Sequence, residues 1–177
     1  MQTIDVDTSD LAGLDDLVDR LEHPGILLQE IGEELVDSTD RRFETSTAPD
    51  GTRWAPNSET TILQYLEGKS GAIGKTGRLT KKGAGAVMAK RPLIGETRNL
   101  STTISYQVVD GGRTLLVGSP QKYAAVQHFG ADKGSLGRNA PWGDIPARPI
   151  FGISPEDERT ILELIEGYLG ASPRNGR

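Results

Sequence analysis

Two histidines, a Gly-Lys-Thr run and a short run of carboxylates are the parts of this sequence that could take part in a reaction. His128 lies in the aromatic stretch from Tyr123 to Gly130, where an imidazole could act as the general base of a hydrolase. No serine beside it has the Gly-x-Ser-x-Gly setting of a nucleophile elbow. A lone histidine among aromatic residues is more often packed and hydrogen-bonded, so we favour a structural role for His128 over the hydrolase hypothesis.

The remaining candidates for chemistry have simpler explanations. Gly74-Lys75-Thr76 ends like a phosphate-binding loop, but the full motif needs a glycine at position 69, which is Lys69. Glu156, Asp157 and Glu158 fall at the start of a predicted helix, where the helix dipole favours acidic side chains. The chain has no cysteine, which excludes disulfides and thiolate zinc sites. The sequence therefore predicts no enzyme activity, no metal site and no cofactor.

Charge is distributed unevenly along the 177 residues, whose net charge is −5. Residues 1–40 hold twelve acidic side chains and one arginine, which gives −11, whereas residues 68–98 hold eight basic side chains and one acidic, which gives +7. Such asymmetry indicates either contacts with charged partners or a solvated surface. Aromatic residues are absent between Gly68 and Leu100, so a nucleic acid would be bound there through its phosphates alone. The candidates for such contacts are Lys81, Lys82, Lys90 and Arg91.

The hydrophobic pattern predicts an α+β fold in a single domain, with two N-terminal helices and a C-terminal helix packed on a small antiparallel sheet. Leu11, Leu14, Val18 and Leu21 recur at helical spacing behind the caps Ser9 and Asp10, and a long amphipathic helix follows at about 24–46. Ala48 to Gly51 predict a turn, after which Trp54 should close the core. No apolar stretch approaches the length of a membrane span, and the acidic first ten residues lack a signal-peptide pattern, so we expect a soluble protein.

In the second half of the chain the helical spacing of apolar residues gives way to other patterns. Residues 57–98 are rich in glycine and lysine and predict a mobile basic insertion, with a short helix at 60–66 and a short strand at 85–90. From Ser101 the period is two, and Asp110-Gly111-Gly112 predict a hairpin whose second strand covers 114–117. Residues 123–129 could form a short helix or a third extended segment, and we favour the helix. We expect a loop at 130–147, a last helix from the cap Ser154 to Gly170, and a loose tail at 171–177.

Four segments, in order, resemble the phage virion morphogenesis family. The first runs from Arg42-Phe43 to Pro49-Asp50-Gly51-Thr52-Arg53-Trp54-Ala55-Pro56, and the second is Leu93 to Leu100, where Arg98 replaces the usual glycine. Lys75-Thr76-Gly77-Arg78-Leu79 is a competing copy of the second. The third joins Val117-Gly118 to Tyr123-Ala124-Ala125-Val126-Gln127-His128-Phe129-Gly130, and the fourth is Ile145-Pro146-Ala147-Arg148-Pro149-Ile150-Phe151-Gly152-Ile153-Ser154.

This resemblance implies a non-enzymatic virion protein that completes the phage tail or joins it to the head as a neck or tail-terminator subunit. Related connectors form rings, commonly six-fold, so the implied partners are copies of the chain, the neighbouring head–tail connector, and tail tube or sheath proteins. It would be assembled in the host bacterial cytoplasm, with genomic DNA as a further partner and no membrane. The alternative is a packaging or capping factor that binds the DNA backbone.

Arg148 is the best-defined candidate for a contact between subunits. It stands between Pro146 and Pro149 in a stiff, extended segment, and a rigidly presented arginine suits an interface anchor. An internal bridge to an acidic helix such as 24–46 would explain it equally well. The assembly candidates in the matched segments are Trp54, Arg98, Tyr123, His128, Phe129, Arg148 and Phe151.

Overall fold

A computed structural model describes residues 11–137 and 143–170. Over those residues, seven helices accompany one two-stranded antiparallel sheet, which confirms the predicted α+β class. The elements are α1 (Leu11–Glu22), α2 (Gly25–Thr45), α3 (Glu59–Glu67), α4 (Lys81–Ala89), α5 (Asn99–Thr102), β1 (Ser105–Val109), β2 (Thr114–Gly118), α6 (Ala124–Phe129) and α7 (Pro155–Gly170). None of the described helices has both the length and the apolar character needed to cross a membrane.

The chain folds into two compact units. In its described parts, unit 1 contains residues 11–38, 105–118 and 153–170, and unit 2 contains residues 39–104, 119–137 and 143–152. Helix α2 therefore contributes residues 25–38 to unit 1 and residues 39–45 to unit 2.

Unit 1 is built on the close approach of α2 to the β-hairpin. Gly32 is buried on α2, and a Cβ atom there would lie 2.5 Å from the ring of Tyr106 on β1 and 3.0 Å from Leu115 on β2. Leu27 and Ile31 are buried on the same helix. Gly32, which directly follows the buried Ile31, thus lets α2 approach the ring of Tyr106 closely, which a larger residue would prevent.

Helices α1 and α7 also pack together in unit 1. Arg20 donates to the backbone oxygen of Tyr168 across 2.8 Å, and the Tyr168 hydroxyl donates to the oxygens of Arg20 and His23. The predicted cap of α7 is confirmed, because Ser154 Oγ accepts from the amide of Asp157 and Asp157 Oδ2 accepts from the amide of Ser154. Asp157 also accepts from Ser38 of α2, so this carboxylate is a buried structural group.

Unit 2 has an apolar core around the turn that follows α2. Phe43 and Trp54 are buried edge to face, with ring centroids 5.2 Å apart, on either side of the predicted turn at Ala48 to Gly51. Gly51 has a positive φ of 82°, and Asp50 accepts from both the amide and the hydroxyl of Thr52, which lowers the pKa of its carboxyl. The predicted position of Trp54 in the core is thus confirmed.

The segment 57–98 has more regular structure than its sequence indicates. The predicted helix at 60–66 is present as α3, but the predicted strand at 85–90 is wrong, because residues 81–89 form α4. Thr80 caps α4 by accepting from the amide of Gly83, and a Cβ atom at Gly83 would lie only 2.1 Å from the backbone oxygen of Ala72. The glycine that weakens the helix signal is therefore required for α4 to pack on the preceding turn.

The hairpin is confirmed, with a shorter first strand than predicted. Asp110, Gly111 and Gly112 all have positive φ, as the turn signal requires, and Ser105 pairs with Gly118 at the open end. Thr102, predicted to be extended, belongs instead to α5, which follows the left-handed residue Arg98. The predicted caps Ser9 and Asp10 and the predicted tail at 171–177 lie outside the described residues.

Candidate assembly surface

Helix α6 and the strap after it, which we define as residues 143–152, bring most of the predicted assembly residues together in unit 2. The helix ends at Gly130, and Ala131 then pairs with Ile145 through two backbone hydrogen bonds of 2.9 and 2.7 Å. Gly130 has φ 76°, and a Cβ atom there would lie 2.7 Å from Ile145 O and 2.8 Å from Ala147 N. The turn therefore requires a glycine, both for its φ and for the space.

His128 on α6 forms hydrogen bonds with the backbone of the strap. Its Nδ1 atom accepts from the amide of Ile150 at 3.0 Å and from the amide of Phe151 at 3.3 Å. Since Nδ1 is the acceptor, the neutral ring carries its proton on Nε2. Burial lowers the pKa of His128 from its ordinary value of 6.5, which favours this neutral form.

Aromatic rings surround the imidazole and continue to the surface. Phe151 stacks on His128 with ring centroids 5.7 Å apart, and Phe129 meets the same ring edge to face at 4.4 Å. Phe129 is 77% exposed, and Tyr123 at the beginning of the helix is 44% exposed. We call the set His128, Phe129 and Phe151 the aromatic cluster.

Arg148 is a buried residue of the strap and joins it to other parts of unit 2, which we call the frame of the aromatic cluster. It is 6% exposed, and its guanidinium donates to the backbone oxygens of Ala55 and Pro56, each at 2.8 Å, and to Oε1 of Gln127 at 3.2 Å. The strap is also joined to α6 by the amide of Arg148, which donates to Gln127 O. The sequence suggested either an interface anchor or a bridge to an acidic helix. The observed partners of Arg148 are instead two backbone carbonyls and a side-chain amide.

Two further buried groups hold the centre of the strap. Trp54 Nε1 donates to Pro149 O at 2.7 Å, and Arg42 donates to Ile150 O at 3.0 Å. Ile150 itself is completely buried. Of the predicted assembly residues, Trp54 and Arg148 thus lie in the interior of unit 2, whereas Tyr123 and Phe129 reach the surface. Arg98 is exposed on another segment, at the start of α5.

The predicted DNA-contacting residues divide into two pairs. Lys81 and Lys82 are exposed in the first turn of α4, where Lys82 Nζ donates to Ser70 O. Lys90 lies over the ring of Tyr65 with its Nζ 4.9 Å from the centroid, and Arg91 donates to Glu44 O at 2.8 Å. Three of the four candidates, Lys82, Lys90 and Arg91, therefore have contacts within unit 2.

No catalytic arrangement is visible among the described residues. A cleft of about 1050 Å³ in unit 2 is lined by Arg148, Tyr123 and Lys90 among others but not by His128. Nor do any three of the described His, Asp and Glu residues come together as metal ligands. Gly74-Lys75-Thr76 forms part of a tight turn closed by the Gly77 amide and Gly74 O. The described contacts of His128 include no carboxylate or hydroxyl partner.

Aromatic side chains are enriched at the centres of protein–protein interfaces, and Phe129 is an exposed one beside a hydrogen-bonded strap. A profile of the phage virion morphogenesis family matches residues 6–170, so the chain belongs to this family, as its four motifs predicted. Membership supports a structural role in the phage tail.

Two relatives illustrate the similarity. Tail completion protein S of Escherichia phage P2 is 29% identical over 143 residues, which are 81% of this chain and 82% of the P2 protein. Mu-like prophage FluMu G protein 2 of Haemophilus influenzae is 38% identical over 78 residues, 44% of this chain and about half (51%) of that protein. No solved structure matches the chain significantly.

Proposed function

We propose that the chain is a non-enzymatic, self-associating subunit that completes the phage tail or joins it to the head, as a neck or tail-terminator subunit in a closed ring, with six-fold symmetry expected. Its neighbours in the particle would be the head–tail connector and the tail tube or sheath proteins. The proposal extends the printed name of the P2 relative, tail completion protein S, to this chain. It also means that the protein is a component of the virion, assembled in the host cytoplasm.

The observation that carries the proposal is the exposure of Phe129. A phenylalanine side chain is ordinarily buried, whereas Phe129 is 77% exposed and its ring packs edge to face against the ring of His128. Aromatic side chains held rigidly at a surface lose little entropy on binding and are enriched at the centres of interfaces. The frame built by Arg148 and Trp54 supplies that rigidity.

Light scattering coupled to size exclusion, over a range of concentrations, tests the self-association. Phe129→Ser should weaken association by about 30-fold or more if this side chain is a hot spot of the interface. Leu116→Ser is the matched control, because Leu116 is also apolar and 53% exposed but lies outside the aromatic cluster. A wild-type protein that stays monomeric at all concentrations, or virions that lack the protein, would contradict the proposal.

The alternative function, binding to the DNA backbone for packaging or capping, is favoured by the exposure of Lys81 and Lys82. Phosphate contacts would give an affinity for duplex DNA that falls steeply with salt. Lys81→Gln with Lys82→Gln should then lower the slope of log affinity against log salt by about two. An unchanged slope would remove this alternative.

A further inference from the structure

Helix α1 carries a row of apolar side chains that are each more than half exposed in the described structure. Leu14, Val18 and Leu21 are 56%, 52% and 60% exposed, and their spacing of i, i+4 and i+7 places them on one face of the helix. Arg20, on a different face, makes the contacts with α7. The row is about 10 Å long at 1.5 Å per residue.

Acidic side chains border this apolar row along one edge. Asp15, Asp19 and Glu22 each follow a member of the row in the sequence, which places them about 100° further around the helix. All three are exposed. Helix α1 as a whole holds four acidic side chains and one arginine, a net charge of −3, and that arginine pairs with Asp16 at 2.5 Å. The surface is therefore an apolar stripe with an acidic edge.

Unit 2 has an apolar groove between α3 and α4. The groove encloses about 330 Å³ and is lined chiefly by aliphatic side chains, namely Ile62, Leu63, Leu66, Ile73, Leu79 and Val87. Two of these lining residues, Leu63 and Leu79, are 55% and 53% exposed, so the apolar wall of the groove is open to solvent. Glu59 lines its α3 side.

Basic side chains follow the turn and the helix that form the other side of this groove. Lys75 and Arg78 stand in the turn between the lining residues Ile73 and Leu79, which form a β-bridge across its base. Lys81 and Lys82 open α4 immediately afterwards, and all four cations are exposed. The segment that forms this side of the groove therefore carries four exposed cations, opposite in sign to the acidic edge of α1, and the charged residue that lines the groove itself is Glu59.

From these two surfaces we infer that helix α1 of one copy of the chain docks in the α3–α4 groove of a neighbouring copy. Anchors at i, i+4 and i+7 are the pattern by which an amphipathic helix enters an apolar groove. The opposite charges of the acidic edge of α1 and of the basic segment beside the groove fix the orientation and exclude a second α1 or a second groove as the partner. The contact joins two different patches, so it is heterologous and can repeat around a ring. The inference rests on the proposed self-association and names a pair of surfaces that contributes to it beside the aromatic cluster.

Apolar variants test the contact in mixtures. One variant loses the stripe (Leu14→Ser with Leu21→Ser), and another loses the exposed wall of the groove (Leu63→Ser with Leu79→Ser). Each alone should associate at least about tenfold more weakly than the wild type. When the two are mixed, the first still has a groove and the second still has a stripe, so heterodimers should form that do not grow further. A mixture that stays as monomeric as its components would overturn the inference.

Charge reversal provides a second, independent test that leaves the apolar surfaces in place. Asp15→Lys with Asp19→Lys, or Lys81→Glu with Lys82→Glu, should each weaken association by about tenfold, and the four changes combined in one chain should restore it. Glu163→Lys with Glu166→Lys on α7 is the matched control, since both residues are exposed and the net charge changes by the same amount as in the α1 variant.

The outcomes separate this inference from the function on which it rests. A wild-type chain that does not associate contradicts the proposed function itself. A wild-type chain that associates, together with α1 variants that associate equally well, contradicts only the docking of α1 and directs attention to the aromatic cluster. Failure of the combined charge variant to recover would also overturn the inference, provided that circular dichroism shows it to be folded.

Discussion

The backbone amide of Ile150 donates to Nδ1 of His128 across 3.0 Å, at a point where Ile150 is completely buried. This contact explains why a histidine stands in the Gln-His-Phe-Gly motif. Its Nδ1 atom is an acceptor that reaches the strap while its ring packs between two phenylalanines. This geometry agrees with the structural role that the sequence favoured for His128. Removal of the His128 side chain would leave the buried amide of Ile150 without an acceptor.

His128→Leu should destabilise the protein by about 1–3 kcal/mol, because the buried amide of Ile150 then loses its acceptor. His128→Asn is the informative control, since the side-chain oxygen of asparagine can occupy nearly the same position as Nδ1. Denaturant unfolding of both variants measures the difference. Equal losses of stability in the two variants would show that ring packing, rather than the hydrogen bond, accounts for the effect.

The lowered pKa of His128 predicts how stability depends on pH. Burial disfavours the protonated ring in the folded state, so the group gains a proton more readily when unfolded, where its pKa is the ordinary 6.5. Its contribution to the free energy of unfolding is therefore fully present above pH 6.5, and it declines as the pH falls from 6.5 through the lower pKa of the folded state.

Thermal or chemical unfolding between pH 8 and pH 5 would measure this decline. The decline should be smaller in His128→Asn, which cannot be protonated in this range, and the difference between the two proteins isolates the histidine from the many carboxylates. A wild-type profile identical to that of His128→Asn would refute the assignment of the neutral ring.

The sequence predicted the elements whose signals are local. The row of apolar residues in α2, the three positive-φ residues of the hairpin turn and the Ser154 cap depend on neighbours within a few positions, and all are present. Helix α4 was missed because Gly83 and Gly85 weaken its helical signal. The reason for Gly83 is the backbone of Ala72, whose approach no local pattern records.

The frame of the candidate site was only partly predictable for a similar reason. The two prolines around Arg148 indicated a rigid arginine, yet its acceptors are the carbonyls of Ala55 and Pro56, more than ninety positions away. Every residue has a backbone carbonyl, so the amino-acid sequence does not show which carbonyls will accept from Arg148. The exposure of Phe129 likewise depends on how α6 meets the strap, whereas its aromatic character alone predicts burial.

Arg148→Met should lower the free energy of unfolding by about 2–4 kcal/mol, because three acceptors lose charged donors while the apolar stem is preserved. Arg148→Lys should recover less than half of that loss, since an ammonium group cannot reach acceptors arranged around a planar guanidinium. The exposed Arg98→Lys substitution serves as the control and should have little effect on denaturant unfolding. Full stability in Arg148→Lys would mean that charge, rather than the forked geometry, holds the strap.

The two glycines Gly130 and Gly77 have the same φ of 76° but very different surroundings. A Cβ atom at Gly77 would have open space, whereas at Gly130 it would meet Ile145 O at 2.7 Å, in a backbone conformation with ψ of 177° that is essentially reserved for glycine. Gly77→Ala should therefore cost about 1–2 kcal/mol from its left-handed φ alone.

Gly130→Ala should cost about 3 kcal/mol or more, because strain in the backbone and collision with the strap add together. Unfolding curves give both values, and the difference between them measures how firmly the strap is held against the end of α6. If the strap separates easily from α6, the alanine at 130 will be accommodated and the two variants will have similar stability. In that case Phe129 would not be rigidly presented, and the entropic argument for it as an interface anchor would fail as well.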